Sequence, residues 1–368
     1  MPLSSLWHSP MISRLPENCL ALYADLMQKV TLHASASGGA FVSKTIKGKT
    51  YWYHQTDTVA GRKQAYLGQE SVELLAVIAD RKEAMVRHRE LLAERRRLVA
   101  MLGAAGAHLE KGRVAKILGK LSDAGLFGAG GAMVGSFAFA CYGNMLGVKT
   151  PGALSRTEDI DFSLARTIAV AFNRNMREVL LDAEPELRPP IQINPRIIPF
   201  EMVTPDGFKV EFLTTKSSAS DDAPVNIERF NVYAQPLNFM DYLLAGAQSA
   251  VVLNGAGILV SVPDPARFAM HKLAVSQLRP IGMQAKIRKD VAQASAILDI
   301  LSQDNPGALI LAMDGVFERN DAFPHFVSNG IARLDRPVRE KVTEAYGRDI
   351  PVVTLDTKTG HYVTRAKT

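Results

Sequence analysis

Between Thr157 and Leu164 the chain reads Thr-Glu-Asp-Ile-Asp-Phe-Ser-Leu. Side chains two apart on a strand share a face. This run therefore aims Asp159 and Asp161 one way, and Ile160 and Phe162 the other. The apolar side requires a core behind it. The acidic side sets two like charges close together, which repel unless a cation lies between them. A second run, Lys209-Val210-Glu211-Phe212-Leu213, follows a Pro205-Asp206-Gly207 turn and carries one acid in an apolar setting, as the second strand of a hairpin begun at 197–203. A charge in a central strand is costly unless paired or bound to metal. The plainer readings are a solvated strand face for the first run and an edge-strand Glu for the second.

A third feature lies upstream. Gly130-Gly131-Ala132-Met133-Val134-Gly135-Ser136 runs into a helix predicted over 136–146. Glycines admit a phosphate close to backbone amides, and a helix N-terminus adds unpaired N–H groups and a partial positive charge. The Ser136 hydroxyl adds a donor. Gly-rich turns before helices are also common structural punctuation, so the turn gains meaning from its company. A phosphate-cradling turn, a paired-carboxylate strand and a third acidic strand together specify a two-metal site. Asp159, Asp161 and Glu211 would hold two Mg2+ (or Mn2+) ions, because magnesium prefers carboxylate, water and phosphate oxygens.

In this order the chain resembles the polymerase-β-like nucleotidyltransferase superfamily, with its Gly-Ser turn, helix, Asp-x-Asp strand and third acidic strand. The string GLFGAGGAMVGSFAFACYGNMLG followed by TEDIDFSLA is closer still to a bacterial group of nucleotidyltransferase-fold proteins. The resemblance covers roughly residues 106 to 300. It implies a nucleoside triphosphate substrate, Asp159, Asp161 and Glu211 as catalytic and metal-binding residues, and Gly135 and Ser136 on the β- and γ-phosphates. The 22 residues between Ser136 and Asp159 exceed the usual spacing, which makes 143–158 an insertion, a lid or an acceptor loop. Downstream, Pro263-Asp264-Pro265 through Leu273 and then Lys286-Ile287-Arg288-Lys289-Asp290 resemble the helical region of minimal and toxin-type nucleotidyltransferases. By that resemblance Lys272 and Lys289 face the triphosphate, whereas on pattern alone they are solvated helix lysines. His271 reads as a packed or capping residue.

The N-terminal third is organised differently. A helix is predicted over 15–36, then three short β-rich runs at 40–46, 50–55 and 62–67 around Lys47-Gly48-Lys49, then a Gly- and Pro-free helix over 70–102. Net charge is +6, and it clusters: residues 37–120 hold 16 basic against 8 acidic side chains, the remainder 27 against 29. Lys47, Lys49, Tyr51, Tyr53, Arg62 and Lys63 interleave cations with aromatics, a composition suited to stacking on bases and contacting phosphates of RNA, tRNA or DNA. The segment resembles small sheets at the N-termini of recombinases. The competing reading is that Trp52 packs on the next helix and the lysines solvate the sheet. Helix 70–102 carries an apolar stripe and an Arg-rich face, which extends the basic surface or forms a coiled-coil-like homodimer seam.

The expected fold class is thus α+β: a nucleotidyltransferase-fold mixed sheet flanked by helices, preceded by a small sheet and long helix and followed by a helical region. The expected domains are 1–105, 106–222 and 223–368. Helices are predicted at 168–183, 238–246, 265–277, 286–302 and 337–346. The two cysteines, Cys19 and Cys141, form neither a metal spacing nor a disulfide framework, and no apolar run spans a membrane. A cytoplasmic enzyme without membrane contact is the expectation. The alternatives are a catalytically idle nucleic-acid-binding protein that keeps the fold, and, as a biological role for the enzyme, a toxin-like component of a defence system.

Overall fold

The structure is a computed structural model that describes residues 12–32, 40–58, 61–155, 157–166, 174–191, 199–218, 220–355 and 362–365. The first helix, α1 (Asn18–Leu32), follows a two-residue strand β1 (Ser13–Arg14). The predicted extension of α1 through 33–36 lies outside the described residues. Strands β2 (Ala40–Ile46), β3 (Lys49–Thr58) and β4 (Gly61–Gln69) form the antiparallel three-stranded sheet expected there. Lys47 and Gly48 both have positive φ, 50° and 77°. That pairing gives a two-residue turn whose twist matches the strands it joins. Helix α2 (Val72–Ala104) begins at Ser71, whose hydroxyl accepts the Leu74 N–H at 3.1 Å, a standard N-cap.

The expected stripe along α2 exists, but its C-terminal part is spent inside the chain. Leu98, Val99 and Leu102 are buried with Leu26 and Val30 of α1 and with Val251 and Leu253. Arg95 sits among them, its guanidinium donating to the carbonyls of Ala256 and Gly257 at 2.7 and 3.0 Å. Upstream, the helix is mostly exposed between 79 and 94.

The central layer starts with α3 (Gly112–Asp123) and continues through β5 (Gly131–Val134), α4 (Gly135–Met145), β6 (Val148–Lys149), α5 (Gly152–Ser155), β7 (Asp159–Leu164), α6 (Met176–Ala183), β8 (Glu201–Val203), β9 (Lys209–Thr215), β10 (Val225–Ile227) and β11 (Val232–Leu237). Its sheet runs β10-β11-β9-β7-β5, with β8 also paired to β9. The N-terminal half of β9 pairs with β8, and Leu213–Thr215 pair with β11, so both share the edge opposite β7. The Gly-rich segment is not one loop as expected. Gly131–Val134 is a buried strand, antiparallel to β7, and only 124–130 turns. Four small or apolar residues between glycines carry too little pattern to declare a strand. The predicted helix 168–183 is observed over 176–183, its earlier part lying at 167–173 outside the described residues.

After α7 (Met240–Leu244) a hairpin of β12 (Gln248–Val252) and β13 (Ile258–Val262) leads to α8 (Pro265–Leu278), α9 (Gln284–Asp304), α10 (Pro306–Phe317), α11 (Phe323–Ala332) and α12 (Arg336–Tyr346). A last hairpin pairs β14 (Val352–Leu355) with β15 (Tyr362–Arg365). One hydrophobic core runs from Ile117 to Tyr346, taking in the sheet and the C-terminal helices together. No helix among the described residues is long and apolar enough to cross a membrane.

Candidate active site

The burial pattern of β7 and β9 sorts their side chains as strand alternation demands. Ile160, Phe162, Val210 and Phe212 are fully buried, and Phe162 and Phe212 rings lie 6.3 Å apart. Asp159, Asp161, Lys209 and Glu211 occupy the other face and are only partly covered. The strands are parallel, with Asp159 opposite Lys209 and Asp161 opposite Glu211. The second acidic segment therefore lies directly beside the first.

Asp161 and Glu211 are direct neighbours across the ladder, and the charge of Asp161 raises the cost of charging Glu211. Burial, then the charge of Asp159, pushes Asp161 up to about 6. Burial, then the charge of Asp161, pushes Glu211 up to about 7. Asp159 is different. Burial raises it, but the Thr157 hydroxyl, which donates at 2.6 Å, and the charges of Lys286 and Lys289 outweigh that, and the net direction is down. Its other oxygen lies 3.8 Å from the Lys286 ammonium. Asp159 is thus turned toward Thr157 and Lys286. Among the described residues no three acidic, imidazole or thiol groups are grouped as a ready-made metal cage.

Gly135 is fixed by this arrangement. It lies at the junction of β5 and α4 with φ +64°, and a Cβ placed there would fall 2.2 Å from Asp161 Oδ2. The backbone can pass the carboxylate only because no side chain intervenes. Ser136, the next residue, is buried in the first turn of α4. Its Oγ accepts from Gln293 Nε2 at 3.4 Å, and the same amide donates to the Leu154 carbonyl at 2.7 Å. The turn is thereby tied to α9, a link across 157 residues of sequence that no local pattern reveals.

The lysines divide into two kinds. Lys272 is buried and donates to Asp290 Oδ1 at 2.6 Å, and Arg279 bonds the other Asp290 oxygen. Asp290 is buried, yet the two cations hold it below the usual carboxylate range. Lys272 still acts on Asp161 through its charge. Lys286 is exposed and faces Asp159. Lys289 is half-buried, and burial together with Lys272 lowers its pKa. His271 is held near 4 by burial and by Lys272, so it is neutral, and its Nε2 lies 3.4 Å from the Asn238 carbonyl. It packs, as the sequence implied.

Two charged residues beside the acids were not singled out from the sequence. Lys286 has no mark that separates it from the Lys286–Asp290 run, and Glu201 sits in no motif. Glu201 is opposite Glu211 across the β8–β9 ladder and pairs with Lys209 at 3.2 Å. In the N-terminal module, Lys47, Lys49, Tyr51 and Tyr53 lie in or beside β3. Arg62 and Lys63 lie in β4, and their side chains are outside the described set.

The donors suit a hard divalent cation. Asp159, Asp161 and Glu211 offer oxygens on one face, and burial together with the neighbouring acids drives two of them toward neutrality, more than the nearby lysines offset. Beside them lie a glycine turn with helix N–H groups and three cationic side chains. Helix N–H groups and cationic side chains of this kind attract anions. A family model described as nucleotidyltransferase matches residues 112–317, more than half of the chain. No curated protein and no solved structure matches.

Proposed function

The chain belongs to this nucleotidyltransferase family, and from that premise we propose that it moves a nucleoside monophosphate from a triphosphate to a hydroxyl acceptor. The observation that carries the reading is the Asp161–Glu211 register beside the Gly135 turn. Acceptor oxygen attacks the α-phosphorus, the bond to the β-phosphate breaks, and pyrophosphate leaves. Asp159, Asp161 and Glu211 are the groups that would hold two magnesium or manganese ions. Such ions would neutralise triphosphate charge and lower the pKa of the acceptor hydroxyl.

The chain's own residues do the rest. The N–H groups opening α4 and the Ser136 hydroxyl receive the terminal phosphates. Gln293 already donates to Ser136 Oγ, which leaves the serine's own hydrogen to be given to a phosphate oxygen. Lys286 and Lys289 supply mobile positive charge along the same edge. Lys272, tethered by Asp290, contributes a fixed positive field that favours ionised Asp161.

Incubation with triphosphates labelled on the α-phosphate, magnesium and candidate acceptors tests this. Label should move to an acceptor, and D159A and D161N should each abolish transfer. An intact protein that neither binds triphosphate with magnesium nor transfers label sinks the reading.

A further inference from the structure

The β2–β4 sheet has two faces with different uses. On one, Trp52 donates to Glu70 at 2.9 Å and takes Lys82 of α2 over its ring, 5.1 Å from the centroid. Through Trp52 that face reaches the start of α2. Strand alternation puts Lys44, Lys49, Tyr51, Tyr53 and Tyr66 on the opposite face. There the Tyr53 and Tyr66 rings lie 5.5 Å apart, the Tyr51 and Tyr66 rings 6.2 Å apart, and the Lys44 ammonium 4.9 Å from the Tyr53 centroid. No sheet residue belongs to either hydrophobic core among the described residues, and Tyr66 is 59% exposed. Tyr66 is the exposed centre of this cluster, with Tyr51 and Tyr53 half-buried against it, and none of the three belongs to either core. Charge selects their partner: residues 40–69 hold five Lys or Arg against one acid, Asp57.

We propose that this face docks single-stranded nucleic acid, and that the strand so held is the acceptor, which rests on the nucleotidyl-transfer reading above. Bases stack on Tyr51, Tyr53 and Tyr66 while Lys44, Lys47 and Lys49 meet the phosphates. Flat aromatic rings on a sheet suit unstacked bases, which a duplex withholds. The terminal hydroxyl of the bound strand forms the new bond to the α-phosphorus, loses its proton to solvent, and pyrophosphate is displaced.

The full-length protein is titrated, by fluorescence anisotropy, into labelled single strands of roughly 12 nucleotides, RNA and DNA, and a matching duplex. Single strands should bind more tightly than duplex. The double variant Y53A/Y66A should weaken that binding by about tenfold or more without changing triphosphate binding. K44E/K49E, which leaves the tyrosines in place, should weaken it and flatten its salt dependence by about 1.4 in log–log slope. D161N should keep full strand binding and lose transfer to the strand. Preference for duplex, absence of strand binding, or affinity unmoved by both double variants overturns the docking surface. Transfer to other acceptors without strand binding overturns this inference and leaves the enzyme intact. Strand binding without transfer to any acceptor overturns the acceptor role together with the enzyme reading.

Discussion

Replacing Asp161 with Asn should make the protein more stable at neutral pH while ending its chemistry. Burial, then Asp159, raises the Asp161 carboxyl from 3.8 to about 6. A carboxyl whose folded value exceeds its unfolded value holds its proton more tightly in the folded chain. The resulting cost is absent in acid, where both states are protonated, and grows as pH rises from about 4 to about 6. A shift of roughly two units corresponds to about 3 kcal/mol above that window. Because Asp161 and Glu211 act on each other's charge, part of that cost belongs to the pair, and the amide should recover about 1–2 kcal/mol. For a core of this size that is a Tm rise of about 2–8 °C. The amide keeps the carboxylate's shape opposite Gly135 and can donate to Glu211. Thermal unfolding of both metal-free proteins at about pH 8 and about pH 4.5 measures it. The gap should be full at the higher pH and shrink to about a third of it at the lower one, because the unfolded carboxyl is still largely ionised there. Magnesium should raise the wild-type Tm and leave the variant's almost unmoved. A variant no more stable than wild type at about pH 8, or a gap equal at both pH values, refutes the electrostatic account.

Other substitutions separate the parts of the site. G135A places a methyl against Asp161 Oδ2 on a left-handed backbone. It should cost about 1–2 kcal/mol from the backbone alone and reduce turnover at least a hundredfold, read from melts and label transfer. K272M strands Asp290 beside Arg279 alone and should cost about 3 kcal/mol or more in denaturant unfolding. K286A, at an exposed pair, should leave the melting temperature unchanged and raise the KM for triphosphate, which steady-state kinetics resolves. If K272M melts like wild type, the buried triad is not the structural element described above.

Both acidic strands could be read directly because Asp-Ile-Asp-Phe and Lys-Val-Glu-Phe each alternate strictly and lie beside a turn signal. The β2–β3 hairpin was equally plain, since Lys47-Gly48 can adopt the turn its strands need. Legibility failed where information is not local. Strand β5 hides in a glycine-rich run because its buried face is completed by β7. Helices α10 and α11 carry no helical stripe to read: α10 is apolar nearly all round, with Gly307 and Gly315 inside it, and α11 carries Pro324 and Gly330. Lys272 was placed by resemblance near the triphosphate, but its buried ionic partner is Asp290, 18 residues away on the next helix. Asp290 itself follows Lys289 directly, and one residue around a helix turns a side chain by about 100°. Neighbours in sequence therefore serve different neighbours in space. Glu201 carried no usable signal, since its acid is placed only by the β8–β9 ladder.

Helix α2 has 33 residues, a rod of about 50 Å. Its base is clamped where Arg95 grips two backbone carbonyls of the β12–β13 turn, and its far end carries the tyrosine-bearing sheet. A rod held near one end is a lever: the tip at Val72 lies about 35 Å from the Arg95 clamp, so a tilt of about 5° there swings it by about 3 Å, close to the thickness of a stacked base. The reach of that sheet is therefore set by a guanidinium at the opposite end of the helix. Loosening the grip would change where the sheet points without altering a single residue on it.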